Sequence, residues 1–268
     1  MNIYKKMMIM VFANLILFLG IFSFESIVFA DQINQNPGST TSTTAFVSTL
    51  ESKKESLTDA LTASYDELNE LKSEVESIKV SDPWDKIKTN LLNQADKIKD
   101  YYDNSSEKLG NENINQNSIK SLAKELKSFR EGVFNEYYKN SINFILIFEE
   151  ADLLKIADSR LDKISSDIAR LEKQSVSKTK ILKILFNDAS KHLKLAHDLN
   201  DSAKTLFYNY LNPVKPDETN PEETNQKKES QKENQISDPQ TLIRNISHKS
   251  LDELKATYDI FINMSKTL

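Results

Sequence analysis

From Val47 to Ile78 the chain reads VSTLESKKESLTDALTASYDELNELKSEVESI, with apolar residues at Val47, Leu50, Leu57, Leu61, Leu68, Leu71, Val75 and Ile78. Spacings of three and four held over about four heptads describe an α-helix that lays one apolar stripe against partner helices. Most residues beside the stripe are Lys, Glu, Asp or Ser, so the outer face is solvated. The pattern predicts a first helix over roughly 44 to 80. Ser81-Asp82-Pro83 ends it, because a residue before proline avoids the α region, and starts the next, because proline suits a first helical turn.

The same period continues downstream. Trp84, Ile87, Leu91, Ala95, Ile98 and Tyr102 give a second helix over 83 to 102, and the polar stretch Asp103 to Asn117 reads as a loop. Ile119, Leu122, Leu126, Phe129, Val133 and Tyr137 lead into the apolar run Ile142 to Phe148, after which the heptad resumes at Leu154, Ala157, Leu161, Ile164, Ile168 and Leu171. A helix apolar on all sides is normally central. One helix over 116 to 173 would be about 87 Å long, so a break is expected near Asn140-Ser141, with Gly132 the second candidate. Ser177 reads as the N-cap of a helix whose stripe is Leu182, Leu185, Ala189, His192, Ala196, Leu199, Ala203, Leu206 and Tyr210. Alanines in that stripe let a neighbouring backbone come close. Asn212 to Gln240 holds four of the six prolines and almost nothing apolar, the composition of a disordered linker. Beyond it, Ser250-Leu251-Asp252-Glu253 reads as a capping box ahead of Leu254, Tyr258, Phe261 and Ile262. On a flexible tether spanning about 30 Å, this terminal helix is expected to dock on its own bundle.

The expected fold is therefore all-α: about four to five long amphipathic helices over 44–211, a linker over 212–240, and a tethered C-terminal amphipathic helix over 241–268. Composition agrees, since only four glycines and six prolines leave few turns for a many-stranded sheet.

At the other end, Lys5 and Lys6 precede an apolar run from Met7 to Phe24 that closes on Val28-Phe29-Ala30. This is the pattern of a secretory signal peptide over 1–30, cleaved before Asp31, with a polar N-terminal tether over 31–43. Retention of the segment as an anchor is the alternative. Cleavage removes Lys5, Lys6 and Glu25, leaving 33 Lys+Arg against 39 Asp+Glu and no stable membrane span. The mature chain would reside in the periplasm, on the outer surface or outside the cell. Acids and bases alternate in every segment, so no basic face is offered to nucleic acid. The absence of cysteine excludes disulfides, thiolate metal sites and cysteine nucleophiles.

No catalytic pattern emerges. His192 and His197 lie five residues apart, which separates them on a helix, and no Glu-x-x-His pair, phosphate loop or zinc spacing occurs. His192 reads as a hydrogen-bonded packing residue, and Glu149-Glu150 as a solvated edge of a central helix. No enzyme, cofactor or metal is expected. Binding candidates are the aromatics Trp84, Tyr101, Tyr102, Tyr137 and Tyr138, because neighbours on a helix diverge by about 100° and one of each pair should leave the stripe. Their other reading is core absorbed by a wide stripe.

The Lys/Asn/Ile-rich composition, the export signal, the polar tether Gln32 to Thr44, and helical segments such as Ser121 to Lys127 and Arg160 to Ile164 resemble the plasmid-encoded helical surface antigens of Lyme and relapsing-fever spirochaetes. The resemblance implies either a protein partner, with host complement regulators and extracellular-matrix proteins as the candidates, or no known ligand. It assigns no individual residue. Most members carry a cysteine at the processing site; this chain has none, which shifts weight toward a periplasmic or secreted form. The function expected is an exported interaction protein that binds a host or envelope macromolecule through a helix face. A periplasmic structural or chaperone-like protein is the alternative, and a membrane-active protein built on Ile142 to Phe148 comes third. Oligomeric state is left open.

Overall fold

The computed structural model describes residues 42–111, 113–174, 178–213 and 238–267. The segment read as a signal peptide, nearly all of the expected N-terminal tether, the bulk of the expected linker and Ser177 lie outside the described residues. Among those described there are six α-helices, no strands and one π-helical turn. The helices are α1 (Ser42–Ser77), α2 (Trp84–Gly110), α3 (Gln116–Phe129), α4 (Asn135–Lys173), α5 (Thr179–Leu211) and α6 (Pro239–Thr267), and the π turn (Arg130–Phe134) joins α3 to α4. The fold class is that of an all-α helical bundle. The chain separates into two compact units, Met1–Tyr138 and Lys139–Leu268.

In the first unit α1 and α2 run antiparallel. Leu57, Leu61, Leu68, Leu71, Val75 and Ile78 are buried, as their spacing requires, and face Ile87, Leu91, Ala95, Ile98 and Tyr102. Lys88 Nζ donates to the carbonyls of Glu76 and Ile78 at 2.8 and 2.7 Å, which satisfies acceptors that the end of α1 leaves without intrahelical partners. Helix α2 continues past the expected stop at 102 to Gly110, because Ser105 and Leu109 extend its buried stripe. The expected fifteen-residue loop shrinks to a short turn. Asn115 then caps α3, its side chain accepting from Ser118 N at 3.0 Å.

No break occurs at Asn140-Ser141; both residues are buried inside the regular helix α4. The irregularity is instead the π turn around Gly132. A π turn takes up one extra residue and so advances the register by one. That is why Phe134 and Tyr138 are buried while Val133, expected in the stripe, stands 54 % exposed. Phe144 to Ile147 are all buried, in keeping with a helix apolar on most sides.

The second unit is an up-down-up arrangement of α4, α5 and α6. Lys183–Glu172 at 2.5 Å marks the α4–α5 turn, and His197 Nε2 lies 3.1 Å from both Asp158 carboxylate oxygens further along the same antiparallel pair. Two apolar clusters bind the three helices: Leu154, Ala157, Leu193, Ala196 and Leu254 in one, and Ile168, Leu182, Ala189, Phe261 and Met264 in the other. The C-terminal helix is thus the third member of this unit. It begins at Pro239, before the expected boundary, and Ser250 is no N-cap: it sits buried in mid-helix. Along α5 the alanines at 189, 196 and 203 are all fully buried, and Ser250 Oγ reaches across from α6 to donate to the Ala196 carbonyl at 2.6 Å. Only small residues on both sides permit that approach.

Candidate functional site

Four of the five aromatic candidates come together in the first unit. Tyr102 is fully buried, with Tyr65, Tyr101, Phe129 and Phe134 around it at centroid distances of 5.5, 6.2, 5.8 and 6.4 Å. Tyr101, half-buried, stacks on Phe129 at 3.7 Å and 10°. Tyr137 and Tyr138 are both buried and pack at 6.2 and 6.3 Å from Phe134, so neither ring of that pair leaves the core as the 100° argument required. The π turn makes this possible by shifting the register beneath them. Trp84 lies half-buried at the start of α2, apart from this cluster. The candidates are therefore mainly structural, and one of them, Tyr137, also lines a cleft.

That cleft, about 270 Å³, is lined by Gln94, Lys97, Ile98, Phe129, Val133, Glu136 and Tyr137. Ile98, Phe129, Val133 and Tyr137 make its lining partly apolar, and Lys97 and Glu136 add one charge of each sign. The frame behind it is polar and tight. Arg130, from the π turn, donates to Glu67 at 2.6 Å and Ser64 at 3.3 Å, and its guanidinium lies 5.0 Å from the centre of the Phe134 ring. Tyr65 donates to Asp103, whose carboxyl is held below the usual range by Lys99 first and by Tyr65 second. Burial pushes the Tyr102 hydroxyl up to about 12. None of these groups is placed for acid-base work near neutral pH.

In the second unit lies a set of residues that the sequence reading missed. Asn140, Ser141, Asn143, Glu150, Asn200, Gln240, Ser247, Ser250 and Thr257 are all buried among the apolar residues. Gln240 Nε2 donates to Asn140 Oδ1 at 2.8 Å and Tyr210 Oη at 3.0 Å, and Asn143 Nδ2 to the Gln240 carbonyl at 3.3 Å. Glu150, expected at a solvated edge, is fully buried, and burial pushes its carboxyl up to about 7. A signal was present: stepping back from Ala157 and Leu154 by three and four lands on Glu150, Ile147 and Asn143.

His192 and His197 each meet a carboxylate of a neighbouring helix. His192 Nδ1 lies 2.6 Å from Glu253 Oε2 on α6, and the residue is more exposed than a seam position would be, because Leu193 takes the buried place. Among the described residues no group of three His, Cys, Asp or Glu side chains is placed to hold a metal ion, and no helix is long and apolar enough to cross a membrane. No family model, curated protein or solved structure matches the chain.

Proposed function

We propose that the chain is an exported interaction protein of a bacterial cell envelope, which binds a protein partner through a helix face and carries out no catalysis. One observation carries the reading: the π turn leaves Val133 exposed to solvent in the lining of the cleft. A π turn forgoes regular α-helical hydrogen bonding, and such turns recur at functional sites. Here the register shift both builds the cleft and exposes a hydrophobe in its lining. An apolar side chain of the partner fits the apolar part formed by Ile98, Phe129 and Tyr137, with Lys97 and Glu136 discriminating among flanking charges. Export rests on Lys5-Lys6, the apolar run and Val28-Phe29-Ala30.

The test uses purified mature protein on immobilised complement regulators and extracellular-matrix proteins, the classes to which the sequence resemblance points. Wild type and Lys163→Asp, a substitution in the other unit, are expected to bind one of them. Val133→Asp is expected to lose at least tenfold in affinity at an unchanged melting temperature, since one buried apolar anchor contributes about 1.5 to 3 kcal/mol. Equal binding by Val133→Asp would remove the cleft from the account. If the wild type bound none of them, and protease treatment of intact cells left the chain uncut, the periplasmic alternative would replace this reading.

A further inference from the structure

At one level of the second unit all three helices contribute polar groups: Glu150 from α4, Asn200 from α5, Ser247 and Ser250 from α6. Their exposures are 0, 1, 0 and 0 %. Asn200 Nδ2 donates to Glu150 Oε2 and to the Ile147 carbonyl, each at 3.0 Å. Ser250 gives its proton to the Ala196 carbonyl. Glu150 Oε1, Asn200 Oδ1 and Ser247 Oγ are left with no partner. If Glu150 is ionised, two of these are bare acceptors on neighbouring groups, and neither can serve the other. Buried acceptors without donors are costly, and a buried carboxylate more so.

The charged groups that bear on the layer from α5 are Lys204 and His197, and both are engaged elsewhere: Lys204 Nζ with Asp201 at 3.2 Å and His197 Nε2 with Asp158. The α6 groups in the layer are hydroxyls, and Ser250 lies near enough to Glu150 to favour its ionised form, an effect that burial outweighs. A proton is the smallest cation, and it needs no cavity.

We propose that this layer is a proton-binding site, in which a proton on Glu150 supplies the donor that Asn200 Oδ1 lacks and loss of that proton loosens α6 from α4 and α5. A neutral carboxyl facing a primary amide can close a ring of two hydrogen bonds, satisfying both orphaned oxygens at once. Helix α6 is the element released, because α4 and α5 keep the Asn200 bonds to Glu150 and Ile147 whichever way Glu150 is charged. The raised carboxyl, ordinarily 4.5 and here about 7, gives the direction. Between those values the folded unit holds a proton that the unfolded chain has released. Stability is therefore complete below about 4.5, falls as pH rises toward about 7, and is flat above it.

The experiment follows hydrogen exchange in residues 239–267 and thermal melting of the full chain at pH 5.5 and 8.0. Wild type, Glu150→Gln and the double variant His192→Gln, His197→Gln are compared. Wild type is expected to lose roughly 30-fold in α6 protection on going to pH 8.0, the linkage for a carboxyl shifted from 4.5 to about 7. Glu150→Gln, permanently neutral, is expected to hold its pH 5.5 protection at both values, while the double histidine variant keeps the wild-type loss. Protection in the wild type that does not change with pH overturns the proposal. So does a Glu150→Gln variant that retains the loss, or a double variant that abolishes it. Should Glu150→Gln fail to fold, carbon NMR of the wild-type Glu150 carboxyl decides: a midpoint near neutrality supports the site, and one in the ordinary carboxylate range overturns it.

Discussion

Replacing Ala196 with leucine is expected to be among the most damaging changes available to the second unit, although it turns a small hydrophobe into a larger one. Ala196 is 0 % exposed, and its carbonyl receives the Ser250 hydroxyl at 2.6 Å. Ala189 and Ala203, one heptad to either side, are equally buried, so no gap waits along the seam. Extra carbons in a filled core cost about 1 to 3 kcal/mol where side chains can shift, and a helix backbone shifts less readily, which places this site near 3. Moving α6 away also breaks the Ser250 bond. A buried hydroxyl left unpaired adds about 1 to 3 kcal/mol, whereas the Ala196 carbonyl keeps its own helical partner. The sum is about 4 to 6 kcal/mol, against a typical total of about 5 to 15 for a domain. Ser250→Ala separates the contributions, because it removes the bond without adding bulk and should cost about 1 kcal/mol. Lys194→Leu is the control: its side chain is 76 % exposed, the two residues have similar helix propensity, and the change should stay within about 0.5 kcal/mol. Urea unfolding followed by far-ultraviolet circular dichroism, with the slope checked for constancy, measures all three. If Ala196→Leu and Lys194→Leu share a midpoint, α5 and α6 do not meet as closely as their hydrogen bond implies.

Leu68→Ala, at a fully buried position of α1, is expected to cost about 2 to 5 kcal/mol in the same assay, and Leu195→Ala on the exposed face of α5 almost nothing. Glu67→Ala strands the largely buried Arg130. It should cost about 2 kcal/mol, between the value for an exposed pair and that for a fully buried one, while Lys155→Ala in an exposed pair changes no midpoint. Tyr102→Phe removes a buried hydroxyl that has no partner, so stability should hold or rise by up to about 1 kcal/mol; a fall of more than 1 would reveal a bond to that oxygen.

Helix existence and the α1 and α2 stripes were legible because leucine and isoleucine repeat there without competitors. On α5 two registers share Leu182, Ala189, Ala196 and Ala203 and differ only in the partner position. One adds Leu185, His192, Leu199 and Leu206, the other Leu193, Asn200 and Phe207. Periodicity favours the leucine-rich choice. The structure takes the other, burying Leu193, Asn200 and Phe207, because the alanine seam must face α6 and α4 then meets the side that carries Asn200. The same logic hid α6, whose buried positions Ile243, Ser247, Ser250, Leu254, Thr257, Phe261 and Met264 keep a strict four-three spacing although three of the seven are polar. A search for hydrophobes sees only half of such a stripe and mistakes its serine for a cap.

The cleft was hidden for a different reason. Its aromatic residues were correctly picked out as unusual, but a straight helix assigns Val133 to the core and one of Tyr137 and Tyr138 to solvent. A single π turn reverses those roles. Nothing in the Arg130 to Phe134 segment announces the turn beyond Gly132, and glycine there meets no neighbour that would forbid a side chain. What selects the turn is tertiary: it sets Phe134 against Tyr102 and places Arg130 on Glu67 and Ser64 of α1. A regular helix would move every residue after the turn by one position and set Val133 where Phe134 now packs. The contact that anchors the π turn therefore also fixes Val133 in the cleft lining, although neither Glu67 nor Arg130 lines the cleft. If the proposed binding is right, Glu67→Ala should weaken capture on the immobilised proteins that bind wild type, and unchanged capture would refute this link.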